Sequence, residues 1–354
     1  MTGADNPSPG RHPGFGLDVT TIGGRSITVR TSYCFEKSFC RLVHFERETQ
    51  CADPAVLVVA PLSGHFAMLL RDMLAALMPE HDLYLMDWVD AREVSVDEGD
   101  FGMEDDIAYI IECVGQLNGD VHLIGMCQSA MPALAATALL ASRGGSVPRT
   151  LTLFGGMIDP RINPTRIDRL TANLSLSWAE YAMATVPPPY PGEGRRVYPA
   201  SAQQAALIAY LIRHFASGGE LLRKLLEDDG EDVKHYPFLR LYLSVMDLPA
   251  QFFLDTIRLV FHDVALPLGR LSWRGIAVEP ASVTRTALMT VEGEFDDISG
   301  LGQTRVAHEL CRNIPDHRRR HHLQAGVGHF GLFHGSVWRT AIMPRVRAFI
   351  REMA

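Results

Sequence analysis

Three residues in this chain have the types and the order of a nucleophile, an acid and a base. Cys127 is the central residue of the turn GMCQS (residues 125–129). Asp296 lies in the acidic stretch EGEFDD (292–297), and His329 is flanked by glycines in GVGHFG. A thiolate attacks a carbonyl carbon, an imidazole moves the proton and a carboxylate orients the imidazole. This set of residues predicts covalent acyl transfer.

The turn around Cys127 has the form of a nucleophile elbow, G-x-Nu-x-G, in which a strand turns sharply into a helix. Ser129 replaces the final glycine of that pattern. At a helix start, the dipole and the free N–H groups favour a thiolate. The backbone N–H of Gln128 would face an oxyanion at the attacked carbonyl. The alternative is a buried cysteine in an ordinary strand-to-helix turn.

A second oxyanion donor is expected from the loop that follows the apolar run 55–62. This loop begins SGH, and a backbone N–H near Leu62 or Ser63 would serve. A helix cap by Ser63 is compatible with that role. We expect Leu62, His65 and Trp88 to line the substrate pocket, although a tryptophan at a strand end is more often a core residue.

The acid and the base each have a competitor nearby. The spacing G-x-x-D favours Asp296 as the acid, with Asp297 as its neighbour and a solvated acidic loop as the alternative. His334 follows His329 by five residues and is the weaker candidate for the base. The order cysteine, aspartate, histidine is that of the elbow fold.

Alternating strand and helix patterns supply a frame for these residues. The predicted strands are 17–30, 41–46, 55–62, 83–89, 121–126, 149–154, 286–291 and 320–324, and the predicted helices are 64–78, 103–117, 128–141, 302–313 and 336–353. Such alternation predicts an α/β fold with a mostly parallel central sheet flanked by helices. Ligands bind at the carboxyl ends of the strands in these sheets, where all the candidate residues lie.

About 120 residues in the middle of the chain interrupt this rhythm. They contain the proline-rich turn PPPYP and two helical patterns, at 202–215 and 248–261. The predicted domains are a disordered tail (1–14), an α/β-hydrolase core (15–160 and 284–354) and a helical cap inserted after the sixth strand (161–283).

Composition and charge exclude several classes of protein. The 354 residues are 47% hydrophobic and 21% charged, as in a globular enzyme, and the formal net charge of -8 argues against a nucleic-acid partner. No apolar run is long enough for a membrane span, and the first residues lack the features of a signal peptide. The six cysteines are interpreted as free thiols in a reducing cytoplasm, and no metal is expected.

Several runs of this sequence closely resemble intracellular polyhydroxybutyrate depolymerases. They include VHLIGMCQSAMPALAA (121–136), PRTLTLFGGMIDPRINPT (148–165) and RTALMTVEGEFDDISGLGQT (285–304). The resemblance implies an α/β-hydrolase fold, cleavage of 3-hydroxybutyrate esters and a cytoplasmic, granule-associated location. It implies Cys127 as nucleophile, Asp296 as acid and His329 as base. The cysteine turn of that family often lacks the final glycine, so Ser129 departs only from the general elbow.

The expected activity is therefore depolymerisation of poly(3-hydroxybutyrate) through a thioester acyl-enzyme. Water or coenzyme A would accept the acyl group, and no bound cofactor is expected. The expected partner is the polyhydroxybutyrate granule surface, and the sequence leaves a homo-oligomer open. The alternatives are a polyhydroxyalkanoate synthase-like acyltransferase, a non-catalytic granule-binding protein, and a generic esterase or thioesterase.

Overall fold

A nine-stranded sheet forms the centre of the molecule. The structure is a computed structural model and describes residues 14–49, 52–217 and 242–354. The strands of this sheet are β1 (Val19–Ile22), β2 (Arg25–Lys37), β3 (Cys40–Arg47), β4 (Ala55–Val59), β5 (Asp82–Trp88), β6 (His122–Met126), β7 (Thr150–Phe154), β13 (Ala287–Gly293) and β14 (Arg319–Gln324). Their order is β1-β2-β3-β5-β4-β6-β7-β13-β14, and every pair from β5 to β14 is parallel.

The residues between β7 and β13, here called the insertion, carry their own short strands. These are β8 (Ala184–Thr185), β9 (Arg196–Tyr198) and β10 (Leu248–Pro249), which pair in one small sheet, and the hairpin of β11 (Ser272–Trp273) and β12 (Ile276–Ala277). The helices of the chain are α1 (Arg71–Leu77), α2 (Met103–Gln116), α3 (Ala130–Ser142), α4 (Arg166–Ala172), α5 (Leu176–Tyr181), α6 (Ala200–Ser217), α7 (Ala250–Asp255), α8 (Ala307–Leu310) and α9 (Met343–Met353).

Burial follows from the hydrophobic pattern of the central strands. Strands β6 and β7 are buried at every position, as expected for parallel strands that are covered by helices on both faces. Helix α3 is buried from Ala130 to Leu139 because it lies between the sheet and helix α2. This mostly parallel sheet with flanking helices confirms the predicted fold class.

The strand order places a topological switch beside the candidate residues. From β4 the chain crosses to β5 on one side, and then returns to β6 on the other side of β4. Loops that leave β4 and β6 in opposite directions open a crevice at the carboxyl ends of these strands, where open α/β sheets bind ligands. Cys127 follows β6, and Ser63 lies in the loop after β4.

The opening of the chain contains one strand more than the prediction. The pattern over 17–30 is a hairpin of β1 and β2, since Gly23 and Gly24 both have positive φ between Ile22 and its partner Arg25. Two glycines with positive φ make the tight turn that a two-residue hairpin loop requires. The insertion consequently follows the seventh strand instead of the sixth.

Two predicted helices differ in the structure. The pattern over 248–261 begins with β10, continues as α7 and ends as a π-helix over Thr256–His262. The pattern over 302–313 forms turns, with only the four residues of α8 helical. The buried carboxylate of Glu292 causes this, because it accepts backbone N–H groups of Gly302, Thr304 and Arg305.

Other predictions have mixed outcomes. The cap is not purely helical, and its predicted boundaries remain predictions. Residues 1–13 of the predicted tail lie outside the described residues, as does Cys51. The other five cysteines are free thiols. Within the described ranges, no helix is long and apolar enough to cross a bilayer, and no cluster of three or more His, Cys, Asp or Glu side chains could hold a metal ion.

Candidate active site

Cys127 has the backbone geometry of a nucleophile elbow. Its φ of 51° lies in the left-handed region that a non-glycine residue rarely adopts, directly between β6 and the helical turn that starts α3. Gly125 makes this turn feasible, since a Cβ there would lie 2.9 Å from the Cβ of Ala133. The strained turn presents the half-buried cysteine side chain at the head of the helix.

Ser129 takes over the role of the missing glycine by hydrogen bonding. Its buried hydroxyl accepts a hydrogen bond from the N–H of Met126 at 2.9 Å and donates one to the carbonyl oxygen of Val59 on β4 at 2.8 Å. The serine thus joins the elbow to the neighbouring strand. Replacement of the final glycine therefore leaves the turn intact.

The structure brings the three predicted residues together. Nδ1 of His329 lies 2.8 Å from Oδ2 of Asp296, and the side chain of Cys127 is near enough to the same imidazole to raise its pKa. Both His329 and Asp296 are buried. Since Nδ1 faces the carboxylate, Nε2 is the ring atom left for the sulfur. Acyl transfer by a cysteine requires a base beside the sulfur and an acid that orients the base, and these three residues lie in that order.

The ring of His329 carries a proton more readily than a free histidine. Burial lowers its pKa, but the charge of Asp296, the nearby Cys127 and the hydrogen bond to Asp296 raise the pKa well above the ordinary 6.5. The carboxylate of Asp296 thus stabilises a proton on the ring.

The two adjacent aspartates have separate roles. Asp296 fixes its own position, because its Oδ1 accepts the N–H groups of Ile298 and Ser299 at 2.9 and 2.8 Å while Oδ2 faces the histidine. The carboxylate of Asp297 instead binds helix α6 of the insertion. Its partners are Tyr210, Arg213 and His214. Asp297 therefore anchors helix α6 of the insertion beside Asp296.

The other two carboxylates of the acidic stretch are also accounted for. Glu292 holds the turns at 302–305, as described above, and Glu294 accepts the N–H of Gly326 in the loop that leads to His329. Three of the four acidic residues in this stretch therefore hold neighbouring segments in place, and the fourth, Asp296, is the candidate acid.

Gly155 brings β7 into contact with the triad. It has a φ of 46°, and a Cβ there would lie 3.0 Å from Oδ2 of Asp296 and 3.2 Å from Cε1 of His329. Only a glycine allows the backbone this close to both side chains. A single glycine after a strand is common, so the sequence did not indicate this role of Gly155.

Gln128 connects the elbow to the insertion. Its Nε2 donates to Oγ1 of Thr256 at 2.9 Å, and that hydroxyl donates to the carbonyl oxygen of Phe252. Thr256 begins the π-helix, a form that is frequent at functional sites. The backbone N–H of Gln128 lies in the first helical turn, where N–H groups have no intrahelical acceptor. It remains the expected first oxyanion donor.

The three residues predicted to line a pocket are all buried. His65 donates from Nε2 to the carbonyl oxygen of Tyr242, and burial lowers its pKa to about 4, so its ring is neutral. Leu62 packs in the hydrophobic core at the edge of the same loop. Trp88 packs in the aromatic core, because its indole N–H donates to the carbonyl oxygen of Ala60 and its ring packs on Phe101, and its place at the pocket stays a prediction.

The stability that His329 contributes is expected to decline at alkaline pH. A pKa raised in the folded chain stabilises the fold fully below the unfolded value of 6.5, and this contribution is lost as pH rises through the raised value. Urea unfolding of the wild type and His329→Gln, between about pH 5.5 and about pH 9.5, should give a difference in unfolding free energy that shrinks with rising pH. A difference that is constant across this range would contradict a protonated His329.

Comparison with known families assigns the chain. The family model described as PHB de-polymerase C-terminus matches residues 155–354, which is more than half of the chain. The chain belongs to the PHB depolymerase family. The match includes the acidic loop and the histidine loop of the site, whereas Cys127 precedes it. Membership of the PHB depolymerase family supports an ester-cleaving hydrolase function.

Three solved structures are similar to this PHB depolymerase family member at low sequence identity, and the first of them shares its fold. DcsB in complex with its substrate analogue is 14% identical with a TM-score of 0.51, over 92% of this chain and 100% of that one. A thermophilic esterase from Thermogutta terrifontis is 13% identical with a TM-score of 0.49, over 95% and 97% of the two chains. Carboxylesterases of Nitrososphaera gargensis are represented at 11% identity and a TM-score of 0.48, over 92% and 100%. No curated protein sequence matches the chain.

Proposed function

We propose that this chain is a poly(3-hydroxybutyrate) depolymerase that uses Cys127 as nucleophile, His329 as base and Asp296 as orienting acid. The proposal rests on the 2.8 Å hydrogen bond between His329 and Asp296, together with a cysteine that a strained elbow presents near the same imidazole. Family membership supplies the substrate class.

In the first half of the reaction, the Cys127 thiolate attacks the carbonyl carbon of a polymer ester. The backbone N–H groups of Gln128 and Ser63 stabilise the oxyanion that forms. The imidazolium of His329 gives its proton to the departing 3-hydroxyl oxygen, the C–O bond breaks, and a thioester on Cys127 remains. Asp296 keeps the ring of His329 in the orientation that this transfer needs.

In the second half, neutral His329 takes a proton from the acceptor, which attacks the thioester carbonyl. Water as acceptor gives a free 3-hydroxybutyrate end, and coenzyme A as acceptor gives its thioester. In both cases the C–S bond breaks and the thiolate of Cys127 returns beside the protonated ring. Coenzyme A is a co-substrate in this scheme, and no bound cofactor is needed.

The proposed partner is the surface of a cytoplasmic polyhydroxybutyrate granule. Several large apolar side chains of the insertion are exposed to solvent, and Phe295 beside the candidate acid is 59% exposed. The exposed apolar side chains on helices α4, α5 and α6 are Leu170, Trp178, Tyr181, Ile208 and Ile212. In this proposal, these side chains and Phe295 make the contact with the apolar polymer surface.

Amorphous polyhydroxybutyrate granules provide the test. Purified protein, with and without coenzyme A, is expected to release 3-hydroxybutyrate, its oligomers or their coenzyme A esters into solution. Mass spectrometry of the soluble fraction identifies the acceptor. Cleavage of small thioesters without any release from granules would contradict the polymer as substrate, and polymer growth from 3-hydroxybutyryl-coenzyme A would favour a synthase.

A further inference from the structure

The loop at 62–66, which carries the proposed second oxyanion donor, is paired with the insertion. The carbonyl oxygen of Gly64 accepts a hydrogen bond from the N–H of Met246 at 2.8 Å, and the N–H of Phe66 donates to the carbonyl oxygen of Ser244 at 3.4 Å. His65 and Val245 form an isolated antiparallel bridge between these bonds. Residues 244–246 of the insertion therefore act as a short strand beside this loop.

The side chain of His65 adds a bond to the same segment. Its Nε2 lies 3.0 Å from the carbonyl oxygen of Tyr242, and a carbonyl only accepts, so Nε2 carries the hydrogen. The imidazole ring of His65 also packs against the ring of Tyr242, with the centroids 5.7 Å apart and the ring planes at 43° to each other. Backbone and side chain together bind the loop to residues 242–246.

Gln203, on helix α6, closes this arrangement from the other side. Its Nε2 donates to the carbonyl oxygens of Met246 at 2.8 Å and Tyr198 at 3.3 Å. Since both partners are acceptors, the amide nitrogen must face them and Oε1 must face the opposite way. Oε1 is buried and lies only 1.4 Å from where a Cβ on Gly64 would stand.

Gly64 allows this contact and could not be replaced without moving the loop. Its φ of 102° is one that other residues rarely adopt, and any Cβ would overlap the amide of Gln203. The backbone next to Ser63 therefore lies directly against the amide of Gln203. The close contact of this side chain with Gly64 adds to the backbone bonds and the His65 bond that hold the loop.

We propose that Gln203 is a positioning residue that fixes the backbone N–H of Ser63 in the oxyanion site. Oxyanion stabilisation then depends on the hydrogen bonds between residues 242–246 and the loop at 62–66. The inference rests on the proposed function, because it assumes acyl transfer at Cys127. It adds that the Ser63 half of the oxyanion site is held by Gln203 and residues 242–246 of the insertion, while the backbone N–H of Gln128 belongs to the elbow that follows β6.

The test compares Gln203→Ala with Gln204→Ala. Gln204 is the matched control, since it also bonds the insertion, at the carbonyl oxygen of Leu243, and is exposed. With p-nitrophenyl 3-hydroxybutyrate, Gln203→Ala is expected to lower kcat roughly tenfold or more at nearly unchanged KM, because displacing an oxyanion donor acts on the transition state. Gln204→Ala should keep kcat within about twofold.

Two further readouts separate positioning from general damage. The aldehyde 3-hydroxybutanal inhibits by forming a hemithioacetal with the Cys127 thiol, and the oxygen of this adduct occupies the oxyanion site. The affinity of the protein for this aldehyde should therefore fall in Gln203→Ala by the same factor as kcat. The rate of Cys127 alkylation by iodoacetamide should not change, since alkylation forms no oxyanion. Gln203→Met, which keeps the side-chain volume, serves where the alanine variant does not fold.

An unchanged kcat in both Gln203 variants would overturn the inference and leave the proposed function standing. An equal fall in alkylation rate, or an equal loss of kcat in Gln204→Ala, would overturn it too, because the effect would then be one of general packing. A wild type that cleaves no ester at all would overturn the proposed function and this inference together.

Discussion

Replacement of Cys127 by alanine is expected to lower ester cleavage by roughly 10⁴-fold or more, because the hydroxyl of Ser129, the other nucleophilic group of the elbow, is buried and hydrogen-bonded to Val59. The fold should persist, since alanine removes only one sulfur from a half-buried side chain. Initial rates with p-nitrophenyl 3-hydroxybutyrate and with granules would measure the loss, and circular dichroism would check the fold.

Cys34→Ala is the matched control for this variant. Cys34 is also a free cysteine, exposed on strand β2 away from the elbow, so its removal should leave the rate unchanged within about twofold. If Cys127→Ala kept more than about a tenth of the wild-type rate, the covalent route through this residue would be wrong.

The second large effect is expected when Asp296 and Asp297 are changed separately. Asp296→Asn should lower kcat by about 10³- to 10⁴-fold, because an asparagine cannot hold the ring of His329 in the tautomer that faces the cysteine. It should also remove the raised pKa of His329, which depends on the charge of Asp296. Steady-state rates over a range of pH measure both consequences.

Asp297→Asn should leave chemistry on a small ester within about threefold of the wild type. Its carboxylate binds only groups of helix α6 in the described contacts, and its ion pair with Arg213 is about a third exposed, so the loss in stability should stay within about 1 kcal/mol. Cleavage of granules should weaken more than cleavage of the small ester, because the insertion is less firmly held. Equal losses in the two asparagine variants would contradict the assignment of Asp296 as the acid.

Local patterns were sufficient to predict the frame of the molecule. Strands β6 and β7 and helix α2 were predicted within about two residues, since continuous apolar runs and helical spacing are local signals. The third opening strand was missed, although the glycine pair at 23–24 is a recognisable hairpin turn. The predicted helix at 302–313 failed because the carboxylate of Glu292, ten residues earlier, takes the backbone N–H groups of the turn.

Local sequence patterns do not predict contacts between residues that are far apart in the chain. The choice between Asp296 and Asp297 depends on helix α6, more than 80 residues earlier in the chain. Gln203 carries no signal in the sequence, because a glutamine in a helix is ordinary until its amide is seen against Gly64. The core of the site could be predicted from sequence, whereas the way the insertion holds it required the structure.

The central claim, that Cys127 carries the acyl group, is tested most directly by trapping the intermediate. Protein that is turning over p-nitrophenyl 3-hydroxybutyrate would be quenched in acid, digested and examined by mass spectrometry. We expect one 3-hydroxybutyryl group on the peptide that contains Cys127, and none on that peptide from Cys127→Ala. An acyl group on a different residue, in a protein that is cleaving the ester, would contradict the account.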